Sequence, residues 1–335
     1  MKFSKIYAIS LKISVLTMFA VFIGYLSGCN STTSPTYGTD EQYLQSVVTA
    51  GYDTNQTNDD NLMYNERGDM DDGGAVSDNG NGGGAPIDSL KRWGRIITNV
   101  NVNFQGSFIG GDTLYQIIVT RNITGYYRII GWQNNAIDSV TKPYTETLNR
   151  IVVFKRVNRK PNPIFNWRLY DVSLLSGGTQ TPVPNGASQS QIVGITATTA
   201  NGQYNWPAPN GDFTQYNFVT LRFGGDGIPH VHIGDQVTIT VTVNSTEINN
   251  YVAWHWARNT FGFHRVPFTF VSSTPYPQGN GYLVVFTKTF TIYPNHKLGV
   301  FNGFINASSH ESLYDDDPGK FASTEVGIPY RVVAP

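Results

Sequence analysis

The chain has 335 residues, 40% of them hydrophobic and only 14% charged, with a formal net charge of −1 and a single cysteine. That length supports one or two folded domains with sizeable apolar cores. A lone cysteine excludes a disulfide framework and a thiolate metal centre, and the charge balance gives no footing to a nucleic-acid binder.

The amino terminus carries Lys2, Lys5 and Lys12 without an acid, followed by the apolar run ISVLTMFAVFIGYL, Ile13 to Leu26, and the small residues Ser27 and Gly28. Charged, apolar and small residues in that order make a secretory signal. The run is shorter than the roughly 20 apolar residues that span a bilayer, so it reads as a targeting segment, residues 1–28.

Leu26-Ser27-Gly28-Cys29 resembles the lipobox of bacterial lipoproteins. The resemblance implies cleavage before Cys29, lipid on its sulfur and amino group, and attachment to a membrane through acyl chains. The alternative is an ordinary secretory signal with an incidental cysteine. Enterobacterial lipoproteins kept at the inner membrane carry Asp after the cysteine. Asn30 stands here, which points towards the outer membrane or cell surface.

Residues 30–90 hold eleven acids against Arg67, whereas residues 91–335 hold 13 acids and 19 bases. The run DMDDGGAVSDNGNGGGAP is poor in apolar side chains and rich in glycine, so residues 29–90 read as a flexible acidic tether with an rms span of roughly 40 Å. One helix is expected within it, near 40–49. Thr39 and Gln42 form a capping-box pair there, and Tyr43, Leu44, Val47 and Val48 share a face. Asp69, Asp71 and Asp72 suggest calcium, but their spacing fits no EF-hand loop.

Beyond residue 90 the period is two. Val100, Val102 and Phe104 alternate with asparagines in NVNVNF, and Val237, Ile239, Val241 and Val243 with threonines in QVTITVTVN. Such strands bury one face and wet the other. Further short segments, among them TLYQIIVTR, TGYYRIIGW and LNRIVVFKRV, are punctuated by Gly110-Gly111-Asp112, Asn201-Gly202 and Asn210-Gly211. The pattern predicts an all-β fold of two antiparallel β-sandwich (immunoglobulin-like) domains, 91–227 and 228–335, with 201–212 as an alternative seam. HIGDQVTITVTVN resembles the opening strands of bacterial immunoglobulin-like or fibronectin-like modules, a likeness of pattern that carries no active site.

Candidate chemistry is sparse. His230 and His232 sit two apart on one face of an extended piece, where His255, His264 or His296 would complete a Zn²⁺ site. Asp315, Asp316 and Asp317 offer carboxylates to Ca²⁺ if their loop curls, and otherwise form an exposed acidic turn. No cofactor is required by either reading. GxSxG and HExxH are absent, and Glu146, Asp171 and Glu247 show no evident partner for two-carboxylate glycoside hydrolysis.

Aromatics give the better clue. Tyr204, Trp206 and Tyr216 in YNWPAPNGDFTQYNF, and Tyr126, Tyr127 and Trp132 in TGYYRIIGW, suit a ligand platform if they are exposed and a core if they are not. Lys155, Arg156, Arg159 and Lys160 form a basic cluster suited to lipid headgroups, acidic glycan or the acidic tether itself, or to a solvated hairpin end. The leading expectation is a non-catalytic, lipid-anchored envelope protein, its partners the membrane and an envelope protein or glycan. A surface glycan-binding, or glycan-processing, protein is the alternative.

Overall fold

The computed structural model describes residues 39–50, 87–179, 189–225, 227–256, 264–277 and 281–334. Residues 1–28, read above as a targeting segment, and Cys29, Asp69, Asp71 and Asp72 lie outside these residues.

The fold is all-β. Three long strands come first: β1 (Ser89–Ile109), β2 (Leu114–Gln133) and β3 (Ala136–Arg156). Shorter ones follow: β4 (Trp167–Ser173), β5 (Leu175–Thr179), β6 (Ser190–Thr199), β7 (Gly202–Pro207), β8 (Asn217–Val219) and β9 (His230–His232). The remainder are β10 (Gln236–Ser245), β11 (Asn250–Trp256), β12 (His264–Pro267), β13 (Thr269–Pro275), β14 (Tyr282–Thr291), β15 (Gly299–Ser309) and β16 (Ser323–Val333).

Among the described residues these make two sheets. The larger runs β1-β2-β3-β5-β16-β15-β11-β12, with β4 and β9 on β3 and β16 and β8 on β4; the smaller runs β13-β14-β10-β6-β7. All pairs are antiparallel except β9 with β16.

The opening meander is longer than its sequence punctuation suggests. TLYQIIVTR and TGYYRIIGW are one strand, because ladders to β1 and β3 continue on both sides through Asn122–Gly125. Gly125 sits where β1 shifts register between Ile97 and Asn99, and a Cβ there would meet the Ile96 carbonyl oxygen at 2.2 Å. Every odd-numbered residue of β2 from Tyr115 to Gly131 is buried, so one face is covered along the whole strand. Asn134 and Asn135, at φ 51° and 63°, turn β2 into β3, as a two-residue hairpin loop with both residues left-handed requires.

The expected division at 227/228 does not separate the sheets. β6 pairs with β10, and β5 with β16, so ladder hydrogen bonds cross that boundary. The alternative seam at 201–212 fails likewise, since β7 closes a hairpin on β6. Three strands of 20 or 21 residues absorb the chain length that suggested a second sandwich.

Two cores result. One lies between the sheets, formed by Ile192, Ile195, Val241, Val243 and Val284 of the smaller and Val252, Ile305, Val326 and Ile328 of the larger. The other lies under the far part of the meander, where Trp93, Tyr127, Ile129 and Tyr144 pack with Leu313 and Tyr314 of the short helix α2 (His310–Tyr314) and with Phe321.

Helix α1 (Asp40–Ala50) begins at Thr39, whose hydroxyl accepts the Gln42 amide at 3.2 Å. Tyr43, Leu44, Val47 and Val48 are all buried, Leu44 completely. Arg156 of β3 pairs with Asp40 at 2.9 Å, and the helix lies against the 3-10 turn Pro163–Phe165. Residues 40–50, expected within the tether, are thus part of the body.

Candidate functional site

The facing sheets leave a cavity of about 90 Å³ near one edge of their shared core. Strand alternation aims Tyr204 and Trp206 of β7 into it and turns Gln203 and Asn205 outwards. These two rings stack with centroids 5.8 Å apart. Across the gap stands Trp254 of β11, stacked on Phe290 of β14 at 6.3 Å and tilted against Tyr330 of β16 at 6.1 Å. Trp254 owes its position to Gly303, where a Cβ would come within 2.1 Å of the indole.

His296, in the loop after β14, completes the wall. Its backbone amide donates to the Tyr293 carbonyl at 3.0 Å, and its ring stands edge-on to Phe301 at 4.7 Å. Nδ1 lies 2.8 Å from the Lys297 carbonyl oxygen, which can only accept. Nδ1 therefore carries a proton; Nε2 is buried and has no hydrogen-bond partner among the described residues.

The aromatic segment is thus core wall. Trp206 is 5% exposed and Phe213 fully buried, while Tyr216 and Phe218 pack against the same core. Tyr216 is fixed by its hydroxyl, which donates to the Pro207 carbonyl. Tyr204, Trp206 and Tyr216 come together as expected of a site, but they face inwards. Of the other three expected aromatics, Tyr126 and Trp132 present rings to solvent, 47% and 43% exposed on the outer face of β2, while Tyr127 is buried on the other.

His230 is exposed on β9, and His232 lies 3.2 Å from Asp235 through Nδ1. His255 is buried and stacked on Phe304 at 4.5 Å. Asp315 Oδ1 accepts the Asp317 amide and Asp317 Oδ1 the Gly319 amide, each at 2.8 Å. Lys320 bridges Asp315 and Glu311 at 3.1 and 3.3 Å. Carboxylates so placed bond local amides and a lysine, which is the acidic-turn geometry. No group of three or more His, Cys, Asp or Glu among the described residues is disposed to hold a metal ion.

The acids that had no evident partner have acquired one. Arg95 of β1 lies 3.0 Å from Glu146 of β3 and also contacts Glu325 of β16, and its second nitrogen donates to Ser323 at 3.1 Å. All three side chains are buried. Burial pushes the Glu146 carboxyl up to about 8 against the pull of Arg95, with repulsion from Glu325 adding to it. Asp171 accepts from Asn217, and burial raises its pKa. Glu247 accepts the His310 amide at 2.8 Å and is held up near 7 by burial. Sequence reasoning missed the cluster because Arg95, Glu146 and Glu325 meet only through the strand order β1-β2-β3-β5-β16. The signal available was charge at inward positions of alternating strands.

The basic segment divides. Arg156 holds Asp40 and lies over the Trp167 ring at 4.6 Å, Arg159 pairs with Asp112, and Lys155 lies over the Tyr170 and Phe223 rings. No family model, curated protein or solved structure matches this chain.

Proposed function

We propose that this chain is a non-catalytic, lipid-anchored protein of a bacterial envelope, acylated at Cys29, with an immunoglobulin-like sandwich as its binding body. The single observation behind its placement is the docking of α1. Only Asn30–Thr39 separate Cys29 from Asp40. At roughly 3.3–3.6 Å per extended residue the anchor cannot lie further than about 40 Å from the helix. The protein is therefore held close to the outer-membrane surface, where a body on a free tether of 62 residues would roam far more widely.

Metabolic labelling with a clickable fatty acid tests this reading. The wild-type chain takes up label and fractionates with outer membranes, and Cys29→Ala does neither. An unlabelled wild-type chain overturns it.

Glycan binding is the second reading, favoured by the row Tyr126, Arg128, Ile130 and Trp132. These alternate residues share the outer face of β2, and six residues at about 3.4 Å put the outermost rings about 20 Å apart. Exposed Ile96 lies opposite Tyr126, and exposed Ile137 opposite Trp132. Loss of binding to an envelope glycan in Trp132→Ala, with Trp206→Phe unaffected, would support it. Equal loss in both variants counts against it.

A further inference from the structure

We infer that the free edge of β1 over Asn99–Ile109 is a self-association surface: two copies of this chain pair antiparallel there, Asn101 of one opposite Asn101 of the other, and join their larger sheets. The inference goes beyond the reading above and does not depend on acylation of Cys29.

The first observation is the edge itself. β1 ends the larger sheet, so alternate backbone N–H and C=O groups point away from β2, and none bonds the backbone of another element among the described residues. The other sheet ends are guarded in the usual ways. β7 and β12 are six and four residues long and close on Pro207 and Pro267, while β13 has a register shift between Phe270 and Ser272 and closes on Pro275. β1 guards its own first half with Lys91, Arg92 and two register shifts, the second between Ile97 and Asn99. From Asn99 to Ile109 the ladder to β2 runs without a shift, and this length holds no proline and no charged side chain.

The second is exposure. None of residues 96–109 is buried, although register sets Val100, Val102 and Phe104 opposite Ile123, Arg121 and Val119, all of them buried. The apolar row of β1 is left at the lip of a covered face, with Val100 41% exposed. A further strand alongside would cover it.

The third is the sequence, which names the occupant. Asn99-Val100-Asn101-Val102-Asn103 reads the same in both directions. A two-fold axis beside Asn101 therefore sets Val100 against Val102 on one face and Asn99 against Asn103 on the other. The asparagine amide both donates and accepts, so Asn101 can bond its own copy. A two-fold axis also sets any charge beside it against the same charge, and residues 96–109 carry none. A different partner would require neither the symmetry nor the neutrality.

The test uses the full chain carrying Cys29→Ser, in detergent so that the apolar run Ile13 to Leu26 does not join copies. Analytical ultracentrifugation should show a dimer. Asn101→Lys and Asn101→Asp, at an exposed position, should each weaken it by roughly tenfold or more, and mixing the two variants should restore it. Disulfide trapping needs no change in affinity. Asn101→Cys meets its own copy at a Cα separation of about 4.5 or 5.5 Å, within disulfide reach. Asn103→Cys, on the same face, lies four residues or about 13 Å along the strand from its copy and should stay unlinked. A monomeric parent chain, a mixture no more dimeric than either charged variant, or equal linking at 101 and 103 would each overturn the inference. None of these outcomes bears on whether Cys29 is acylated, so the two proposals fail separately.

Discussion

Arg156 in the last position of β3 and Asp40 in the first turn of α1 meet at 2.9 Å, 116 residues apart in sequence. The contact places the helix start at one end of the meander, beside the rings of Phe108 and Trp167 over which the same guanidinium lies. The carboxylate also complements the helix N-terminus, where backbone amides point outwards.

The helix is held mainly by its apolar face. Leu44→Ala should cost about 2–5 kcal/mol, the usual range for a buried leucine, and should open the amides of 43–48 to hydrogen exchange. Asp40→Asn should cost under about 1 kcal/mol, because the pair is partly exposed. An equal effect of the two would mean that charge, not burial, docks the helix.

The buried carboxyls set a pH dependence. Glu146 and Glu247 hold their protons more tightly folded than unfolded, the first to about 8 and the second to about 7, both through burial. Their contribution is therefore fully present below the ordinary carboxylate pKa and is lost as pH rises through these values. The slope is up to about 1.4 kcal/mol per pH unit for each group. Lys142, lowered to about 8 by burial, acts in the opposite sense above that pH, so the comparison belongs between pH 5 and 8. Thermal unfolding should show Tm falling across that window and Glu146→Gln flattening the fall. Arg95→Met should cost about 3–5 kcal/mol by leaving Glu146 and Glu325 together without their cation.

Gly303→Ala should displace the Trp254 indole, since its Cβ has no room beside that ring. A cost of about 1–3 kcal/mol is expected, as for other overpacked cores, with a changed near-UV circular dichroism spectrum. An unaltered spectrum would show that the ring has another place to rest.

At the acidic turn, EDTA and added Ca²⁺ should both leave Tm unchanged, because Lys320 already holds Asp315 and Glu311. Asp315→Ala should cost about 0.5–1.5 kcal/mol through the lost amide and lysine contacts. A rise in Tm with Ca²⁺ would reinstate the turn as a cation site.

The period of two in QVTITVTVN and the capping pair Thr39 and Gln42 were legible because both are local. The pairing of β6 with β10 and of β5 with β16 was not, since register between distant strands leaves no mark on either strand alone. Turn residues misled in the meander: Asn122 to Gly125 reads as a break, yet two flanking ladders hold it extended. The aromatic segment was legible as a place where rings converge. Its inward direction was not, because an exposed platform and a core wall draw on the same residues. His296 drew notice only as a third metal ligand, and its place beside Phe301 and Tyr330 depends on strands that follow it in the chain.

Placement of the body close to its anchor can be measured by energy transfer from a dye on Glu41→Cys, an exposed position of α1, to an acceptor dye in the bilayer of reconstituted vesicles. Acylation of Cys29 would leave the introduced cysteine as the only free thiol. Transfer corresponding to a separation within about 40 Å is expected, and Leu44→Ala should lengthen or broaden it by freeing the helix. A wild-type chain that does not stay with the vesicles, or a dye lying well beyond 40 Å from the bilayer, would contradict a lipid anchor held ten residues from the body.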